Sequence, residues 1–446
     1  MKKEVLIDIF YAALNKVDPY TLLKKGIEIH DDRLIIKGEY ICNMNDFERF
    51  VVVGAGKATA SMAQAIEDIF EDRIRKGKII VKYGHSKPLR IIKQLEASHP
   101  IPDEAGVRGT EEIIELIKGA DEKTLVICLL SGGASALLIS PCEGITLCDK
   151  KVVTGALLKA GATIDELNTV RKHLSGVKGG RLAEIAWPAT LITLLLSDVT
   201  GDRLDVIASG PTVPDSTTFG DAMSVINKYS LISRLPDQVA GVLEDGVKGK
   251  IKDTAKGGET FFEKTRTIII GSIMDALIAA KERAVTMGFE TEIITSELKG
   301  EARDVAKHLA SIVNKEKVVL IADGKIRCLL SGGETTVTVN GNGLGGRNQE
   351  LALSFAMEIK GLHGITLLSA GTDGTDGITD AAGAIVDGET FILAKRYGLD
   401  LMAYLDNNDS YNFFKRLDML SHERYHLITG PTGTNVMDIQ LIIMEG

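Results

Sequence analysis

One arginine closes a glycine-rich loop in the second half of the chain, and its position suggests anion chemistry. Residues 341–346 contain four glycines, and Arg347 follows them where an apolar pattern of helical spacing begins. Glycines let a ligand approach the backbone closely, and the N–H groups at a helix start favour a negative charge. The planar guanidinium suits a phosphate or a carboxylate. The pattern favours an anion-binding loop, and a glycine-rich hairpin with a surface arginine is the alternative.

A lysine in the first half of the chain stands in a similar position. Gly54 and Gly56 follow an apolar strand pattern, and Lys57 comes next, where a helical pattern opens. The run lacks the GxxxxGK[ST] spacing of a P-loop. Thr59 occupies the third glycine position of a dinucleotide fingerprint, and the acidic residue expected after the next strand is missing. A phosphate or carboxylate is the expected partner of Lys57, and a solvated surface lysine is the alternative.

Two further segments of the first half carry donors suited to phosphate. Residues 131–135 follow a strand pattern and place two glycines between hydroxyl side chains. Residues 168–181 combine an asparagine with several cations, among them Arg171. The predicted nucleotide- and phosphate-binding residues are Ser131, Gly132, Gly133, Ser135, Asn168, Lys172 and Lys178. A tight strand-to-helix turn and an ordinary charged helix end are the respective alternatives.

The stretch 331–334 echoes residues 131–134. Both patterns predict buried strands that end in Ser-Gly-Gly. In open parallel sheets, ligands bind beyond the carboxyl ends of the strands, so we expect both stretches at functional edges, one in each domain. The predicted substrate-binding residues are Gly54, Gly56, Lys57, Glu334 and Arg347.

Aspartates follow apolar strands in both halves of the chain. Asp198 and Asp202 flank a turn after one strand, and Asp373 and Asp376 repeat the arrangement. Mg²⁺ takes few carboxylates together with phosphate oxygens, so we predict Asp198 and Asp373 as metal ligands. Asp373 is also the candidate base for a substrate hydroxyl. Turn capping is the alternative for each aspartate.

Composition limits the classes of function. The chain has 446 residues and a net charge of −9, and without a basic tract that interleaves aromatic residues, nucleic acid is not an expected partner. No apolar run reaches the length of a membrane span. The five cysteines form no CxxC pair, which predicts reduced thiols and a cytoplasmic protein.

Alternating strand and helix patterns predict an α/β fold with mostly parallel sheets. The length of the chain suggests more than one domain, and a polar stretch rich in glycine and lysine at 243–264 marks the candidate boundary. We divide the chain into domains 1–255 and 256–446 and expect the active site in the cleft between their functional edges.

Several motifs together resemble a known family. They are GAGKAT at 54–59, SHPIPDE at 98–104, LLSGGASALL at 129–138, LNTVRKHLSGVKGGRLA at 167–183, SDVTGD at 197–202, ASGPTVPD at 208–215, SGGETTV at 331–337, GLGGRNQE at 343–350 and SAGTDGTDG at 369–377. In their order and their spread over nearly the whole chain, they resemble the glycerate kinases that carry a C-terminal MOFRL domain.

The resemblance implies a Rossmann-like N-terminal domain and a smaller α/β C-terminal domain. It implies ATP-dependent phosphorylation of D-glycerate, usually to 2-phosphoglycerate, with Mg²⁺ or another divalent cation. By motif, Lys57 and Arg347 correspond to the catalytic lysine and arginine of that family, and we add Asp373 as the third catalytic candidate.

Two other classes of function stay open, an NAD(P)H-dependent hydroxypyruvate reductase and a non-catalytic nucleotide or sugar-acid binding protein. A homodimer is compatible with the sequence. For Arg347→Ala we expect lost activity with nearly unchanged thermal stability, because an arginine in a flexible glycine loop supports little packing.

Overall fold

The computed structural model describes residues 2–445, without the side chains of residues 318–323. The chain divides into two compact units, which we call the first unit (Pro19–Ile270) and the second unit (Met1–Asp18 with Gly271–Gly446). The helix at the start of the chain, α1 (Lys2–Lys16), therefore belongs to the second unit. Among the described helices, none combines the length and the apolar character that a membrane crossing requires.

The first unit contains an antiparallel three-stranded sheet and a larger six-stranded sheet. Its strands are β1 (Ile27–His30), β2 (Arg33–Ile36), β3 (Glu39–Asn43), β4 (Arg49–Ala55), β5 (Ile74–Lys82), β6 (Ile92–Ala97), β7 (Thr124–Leu130), β8 (Thr190–Leu196) and β9 (Thr265–Gly271). Its helices are α2 (Pro19–Gly26), α3 (Thr59–Phe70), α4 (Glu104–Lys118), α5 (Ala134–Leu137), α6 (Leu147–Lys159), α7 (Ile164–His173), α8 (Arg181–Ala186), α9 (Phe219–Lys228) and α10 (Asp237–Val247).

The larger sheet has the strand order β6-β5-β4-β7-β8-β9, and the pairs from β6 to β8 are parallel. Every residue of β7 is buried, and β4 and β8 are buried except at their first residue. A parallel strand covered on both faces is expected to be apolar throughout. The predicted parallel sheet is thereby confirmed for the first unit, and the carboxyl ends of β4, β7 and β8 meet at one edge.

The division into units differs from the predicted boundary at 255/256. The strand β9 was assigned to the second domain from the sequence, but it lies beside β8 in the sheet of the first unit. The strand β9 lies at the edge of this sheet, and its place is decided by its neighbour β8. The polar stretch that precedes β9 in the sequence does not reveal this neighbour.

The second unit contains a six-stranded sheet of a different kind. Its strands are β10 (Glu290–Glu301), β11 (Arg327–Thr336), β12 (Ile365–Gly371), β13 (Gly383–Asp387), β14 (His426–Leu427) and β15 (Asp438–Met444). Its further helices are α11 (Ile273–Thr286), α12 (Ala302–Asp323), α13 (Arg347–Glu358), α14 (Thr390–Arg396), α15 (Leu401–Asp406) and α16 (Ser410–Ser421). The helix α1 packs against α11.

The sheet of the second unit is mostly antiparallel, so the expectation of mostly parallel strands is wrong here. Its strand order is β10-β11-β15-β12-β13-β14, and only the pair β10–β11 is parallel. The reason is that β15, the last strand of the chain, returns between β11 and β12 in the opposite direction.

The stretch 331–334 does not end a strand, so the prediction that a buried strand ends in this Ser-Gly-Gly run is wrong. These residues lie inside β11, where Ser331 pairs with Gln440 and Gly333 pairs with Asp438. The echo in sequence therefore corresponds to a loop in the first unit and to a strand interior in the second. Because β15 is antiparallel, its first residue, Asp438, lies beside Gly333 of β11 and Gly371 of β12.

Candidate functional site

The loops after β4 and β7 join at the carboxyl edge of the first sheet. The N–H of Lys57 donates to the carbonyl oxygen of Gly132 at 2.8 Å, and the N–H of Ala58 donates to Oγ of Ser131 at 3.0 Å. Gly56 has a φ of +144°, and a Cβ at this position would lie 2.1 Å from Oγ of Ser131. Only glycine permits this approach, so the two loops hold Lys57 as one structure.

The other glycines of these loops occupy different places. Gly54 lies inside β4, paired with Ile79 of β5 and Leu129 of β7. Gly133 lies against the ring of His99 and against Cγ of Lys57. Gly133 is thus beside the candidate lysine, whereas Gly54 is within the sheet, and their ligand-binding roles stay predictions.

A serine that the sequence analysis did not single out connects two of the predicted groups. Oγ of Ser209 donates to Oδ1 of Asn168 at 3.0 Å and lies 3.3 Å from Oγ of Ser135. Ser209 and its neighbour Ala208 both have positive φ values, 61° and 53°, which are uncommon for non-glycine residues. The ASGP run at 208–211 was the available signal, and it entered only through the resemblance.

The buried Lys178 lies beside Ala208, and two further cations, the buried Lys150 and the half-buried Arg171, are close to Lys178. Nζ of Lys178 donates to the carbonyl oxygen of Ala208 at 3.2 Å, and its side chain is 2% exposed. Burial, together with the charges of Lys150 and Arg171, holds the pKa of Lys178 well below its ordinary value. Burial also lowers the pKa of Arg171 and lowers that of Lys150 to about 7.

The helix α7 carries Arg171, and its carboxyl end contacts Lys150 of α6. Thr163 and Glu166 form a capping box at its start, and Nζ of Lys150 donates to the carbonyl oxygen of Leu174 just beyond its end, at 2.7 Å. Within the described part of the chain, we find no carboxylate paired with Lys150, Arg171 or Lys178. Burying positive charge without a counter-ion is costly, so this cluster is suited to an incoming anion.

Lys172 differs from Lys178 in having a counter-ion. Its Nζ lies 3.2 Å from Oδ1 of Asp215, and both side chains are buried. Burial would raise the pKa of Asp215, but the charge of Lys172 and hydrogen bonds from Thr217 lower it below its usual value. The charge of Lys172 is balanced within the chain, and its contact with phosphate stays a prediction.

Lys150 should make the stability of the protein depend on pH. Its pKa is about 7 in the folded chain and about 10.4 in an unfolded one, so between these values the unfolded state binds more protons and the free energy of unfolding rises with pH. Lys150→Met removes this contribution. The free energy of unfolding of the wild type minus that of Lys150→Met should grow across this window in urea denaturation. The exposed neighbour Lys151 is the control, since a surface substitution such as Lys151→Met should change the free energy of unfolding by less than about 0.5 kcal/mol. A difference for Lys150→Met that stays flat across this window would contradict the prediction.

The turn after β8 offers carboxylates for a metal ion. Asp198 and Asp202 stand in this turn, and Oδ1 of Asp202 is buried without a hydrogen-bond partner among the described residues. Nowhere in residues 2–445, as far as their side chains are described, do three His, Cys, Asp or Glu side chains converge as a metal site. Mg²⁺ often takes only one or two carboxylates and completes its shell with water and phosphate, so this turn fits it.

Arg347 is the first residue of α13 and is held by two carboxylates. Its Nε and Nη2 donate to Asp438 at 2.5 and 2.8 Å, and its Nη1 lies 2.7 Å from Oε1 of Glu334. Burial alone would lower the pKa of Arg347, but Asp438 and Glu334 raise it above its ordinary value. Asp438 was not singled out from the sequence, because it stands at the amino end of a strand.

The anion at the start of α13 is a side chain of the protein itself. The N–H groups of Asn348 and Gln349 donate to the carboxylate of Asp376 at 3.0 and 2.9 Å. Burial raises the pKa of Asp376 to about 6, against these hydrogen bonds, which lower it. The negative charge expected at this helix end is therefore supplied by Asp376 of the protein itself, and the N–H groups of Asn348 and Gln349 are not available to an external anion.

The glycine-rich loop before Arg347 is held in place by hydrogen bonds to residues 407–409. The N–H of Gly341 donates to Oδ1 of Asn408 at 3.0 Å, and the N–H of Leu344 donates to Oδ1 of Asp409 at 2.8 Å. The premise that Arg347 stands in a flexible loop and supports little packing is therefore wrong. The sequence did not reveal this, because residues 407–409 are remote along the chain.

Asp373 lies close to Asp438, the carboxylate that binds Arg347. Its Oδ1 accepts hydrogen bonds from the N–H and the hydroxyl of Thr375, both at 3.1 Å. A Cβ on Gly371 would lie 3.4 Å from Oδ1 of Asp373 and equally far from Oδ1 of Asp438, so these two carboxylates are neighbours. Asp373 caps a turn as the alternative expected, and its catalytic and metal-binding roles stay predictions.

Comparison with known proteins identifies the family. The model of "Domain of unknown function (DUF4147)" matches residues 5–244, and the model of the MOFRL family matches residues 327–438. The chain is 45% identical over 420 residues to a protein of Thermotoga maritima named D-glycerate 2-kinase, covering 94% of this chain and 95% of that protein. The chain belongs to the glycerate 2-kinase family. The resemblance inferred from the motifs is confirmed.

A solved structure of the glycerate 2-kinase family supports the fold. The crystal structure of a glycerate kinase from Thermotoga maritima matches with a TM-score of 0.84 and 42% identity, over 99% of each chain. The α/β fold with a C-terminal MOFRL domain is confirmed.

A competing name occurs within the same range of similarity. A protein of Agrobacterium vitis named "Putative hydroxypyruvate reductase" is 44% identical, over 89% of this chain and 87% of that protein. In this chain, β5 ends at Lys82 and is followed by Tyr83 and Gly84, without the acidic residue that holds a dinucleotide ribose. The site geometry gives that name no support here.

Proposed function

We propose that this protein transfers a phosphoryl group from ATP to the 2-hydroxyl of D-glycerate and forms 2-phosphoglycerate. Its membership of the glycerate 2-kinase family supports the kinase reaction. The observation that carries the proposal is the cluster of the buried Lys178 and Lys150 with the half-buried Arg171, in which no cation has a carboxylate partner among the described residues. Such a cluster suits a strongly anionic substrate such as a nucleoside triphosphate.

The first unit supplies the groups for the phosphates of ATP. Ser131 and Ser135 bring hydroxyls to the carboxyl edge of the sheet. The cations Lys178, Lys150 and Arg171 would stabilise a phosphate bound beside these hydroxyls. Lys57 stands at the start of the helical segment after β4, where a phosphate oxygen or the glycerate carboxylate is its expected partner. Phosphoryl transfer depends on such positioning and charge stabilisation more than on covalent chemistry.

The second unit supplies Arg347 and Asp373. Arg347 stabilises negative charge on the transferring group, and Asp373 accepts the proton of the 2-hydroxyl as oxygen attacks phosphorus. Glu334, which contacts Arg347, is in position to take part in substrate binding. These roles are proposals, as is the predicted placement of the active site in a cleft.

Mg²⁺ is proposed to bind at the turn of Asp198 and Asp202, where it would offset the negative charge of the phosphates. Asp198→Asn keeps the shape of the side chain and removes its charge. We expect a large loss of activity that is partly recovered at high Mg²⁺ concentration, with the fold intact by circular dichroism. The control is Asp245→Asn, at an exposed aspartate paired with Lys250, which should leave the Mg²⁺ dependence unchanged. If Asp198→Asn leaves it unchanged too, Asp198 only caps a turn.

The proposed reaction is tested directly with purified protein. With ATP, Mg²⁺ and D-glycerate, ADP should form only when glycerate is present, and phosphorus NMR should show 2-phosphoglycerate. Oxidation of NADH by hydroxypyruvate at a comparable rate would favour the reductase. Binding of ATP without turnover would favour a non-catalytic binding protein.

Four further expectations accompany this proposal. ATP and D-glycerate are the expected small-molecule partners, and a homodimer stays a prediction. All five cysteines are free, in agreement with the reduced thiols expected from their spacing. The cytoplasmic location stays a prediction from that cysteine usage.

A further inference from the structure

We propose that Asp438 is a positioning residue that orients Arg347 for phosphoryl transfer. This inference rests on the proposed function, in which Arg347 contacts the transferring group. Asp438 does not contact the substrate in this proposal. It holds one edge of the guanidinium and thereby decides which edge faces the phosphoryl oxygens.

The hydrogen bonds define the two edges of the guanidinium. Asp438 accepts from Nε and Nη2 at 2.5 and 2.8 Å, which is a bidentate contact with the Nε side of the fork. A guanidinium carries five N–H groups, and the contact with Asp438 uses the one on Nε and one on Nη2. The N–H groups of Nη1, which lies 2.7 Å from Oε1 of Glu334, and the second N–H of Nη2 are not used by Asp438. Asp438 therefore leaves the Nη1–Nη2 edge for an anion.

The two carboxylates around Arg347 differ in burial. The side chain of Asp438 is 0% exposed, whereas that of Glu334 is 48% exposed. An exposed ion pair contributes little to stability and exchanges readily with solvent and ions, whereas removing the partner of a buried charge is strongly destabilising. Asp438 is thus the permanent partner of Arg347, and Glu334 is the partner that a substrate anion can replace.

Both residues are fixed by the backbone that carries them. Asp438 opens β15 and pairs with Gly333 on one side and Gly371 on the other. Arg347 opens α13, whose first N–H groups bind the carboxylate of Asp376. Because neither backbone is free to shift, the carboxylate sets the direction of the guanidinium before substrate arrives. Such preorganisation is what charge stabilisation in a transition state requires.

The test compares Asp438→Asn, Arg347→Ala and the double variant by steady-state kinetics, below the melting temperature of each. Asp438→Asn should lower kcat by about 100-fold, the usual consequence of a misplacement of about 1 Å, with KM for ATP and glycerate nearly unchanged. The double variant should be no slower than Arg347→Ala, because Asp438 acts only through the arginine. Asp438→Glu, which keeps the charge, should recover part of the lost kcat.

A matched control separates positioning from stability. Glu67 is also a buried carboxylate, 3% exposed, and it accepts hydrogen bonds from the N–H groups of Ile91 and Ile92 at 2.8 Å. Glu67→Gln should lower the melting temperature and leave kcat unchanged. If Asp438→Asn yields no folded protein, Asp438→Glu decides the question, with a reduced kcat and an unchanged KM as the expected result.

Two outcomes would overturn the inference. The first contradicts only the positioning role of Asp438, and the second also contradicts the catalytic role of Arg347. If Arg347→Ala loses activity but the Asp438 variants keep the kcat of the wild type, or if the losses multiply in the double variant, the positioning role is wrong and the proposed function stands. If Arg347→Ala itself keeps the kcat of the wild type, the catalytic role of Arg347 fails together with the positioning role.

Discussion

Arg347→Ala is expected to lower kcat by about 10³- to 10⁵-fold, the range that arginines contribute to phosphoryl transfer. The same change should reduce the free energy of unfolding by about 3–5 kcal/mol, because it leaves the buried carboxylate of Asp438 without its partner. The sequence alone predicted no loss of stability, and the buried ion pair is the reason for the revision. Steady-state kinetics and urea denaturation measure the two effects separately.

Two variants serve as controls for Arg347→Ala. Arg347→Lys keeps the charge but lacks the planar fork, so it should recover only part of the activity and of the stability. Arg283 in the same unit pairs with Asp8 on the surface, with both side chains nearly half exposed, and Arg283→Ala should change the free energy of unfolding by less than about 1 kcal/mol. If the melting curve of Arg347→Ala matches that of the wild type, the carboxylate of Asp438 can stay buried without its arginine partner, and the predicted loss of stability is wrong. A higher KM for glycerate with unchanged kcat would make Arg347 a substrate clamp.

Lys178→Met is expected to stabilise the ligand-free protein and to weaken ATP binding by about 10- to 100-fold. The stabilisation follows because a buried amino group without a carboxylate partner among the described residues is replaced by an apolar side chain of similar length. The loss of affinity follows because hydrogen bonds to charged groups contribute about 1.5–3 kcal/mol, and about 1.4 kcal/mol corresponds to a tenfold change. Thermal denaturation without ligand and titration calorimetry with ATP measure the two effects.

The lowered pKa of Lys178 adds a second measurement. Burial and the neighbouring cations lower this pKa, and a bound triphosphate should raise it again, so ATP binding should take up protons. Calorimetry in buffers of different ionisation enthalpy detects that uptake, which Lys178→Met should reduce. Lys228, on the surface and paired with Glu166, is the control, since Lys228→Met should change neither affinity nor uptake. Unchanged affinity in Lys178→Met would remove Lys178 from the ATP site.

The sequence determined the arrangement of the site in the first unit. Apolar runs followed by glycine loops predicted parallel strands, and the structure brings the loop of Lys57 and the loop of Ser131 together at one edge. This prediction succeeds because parallel strands all end at the same edge, so residues that follow strands in sequence become neighbours in space. The same reasoning placed Asp198 at that edge, after the neighbouring strand.

The tertiary structure decided what surrounds Arg347 and which lysines carry an unbalanced charge. The return of β15 against its neighbours puts Asp438, at the amino end of a strand, beside an arginine 91 residues away, and no local pattern indicates a partner at that distance. Lys172 and Lys178 look alike in the sequence, yet only Lys172 finds a buried carboxylate, Asp215. Local spacing specifies periodicity and turns, whereas burial and ion pairing depend on which distant segments pack together.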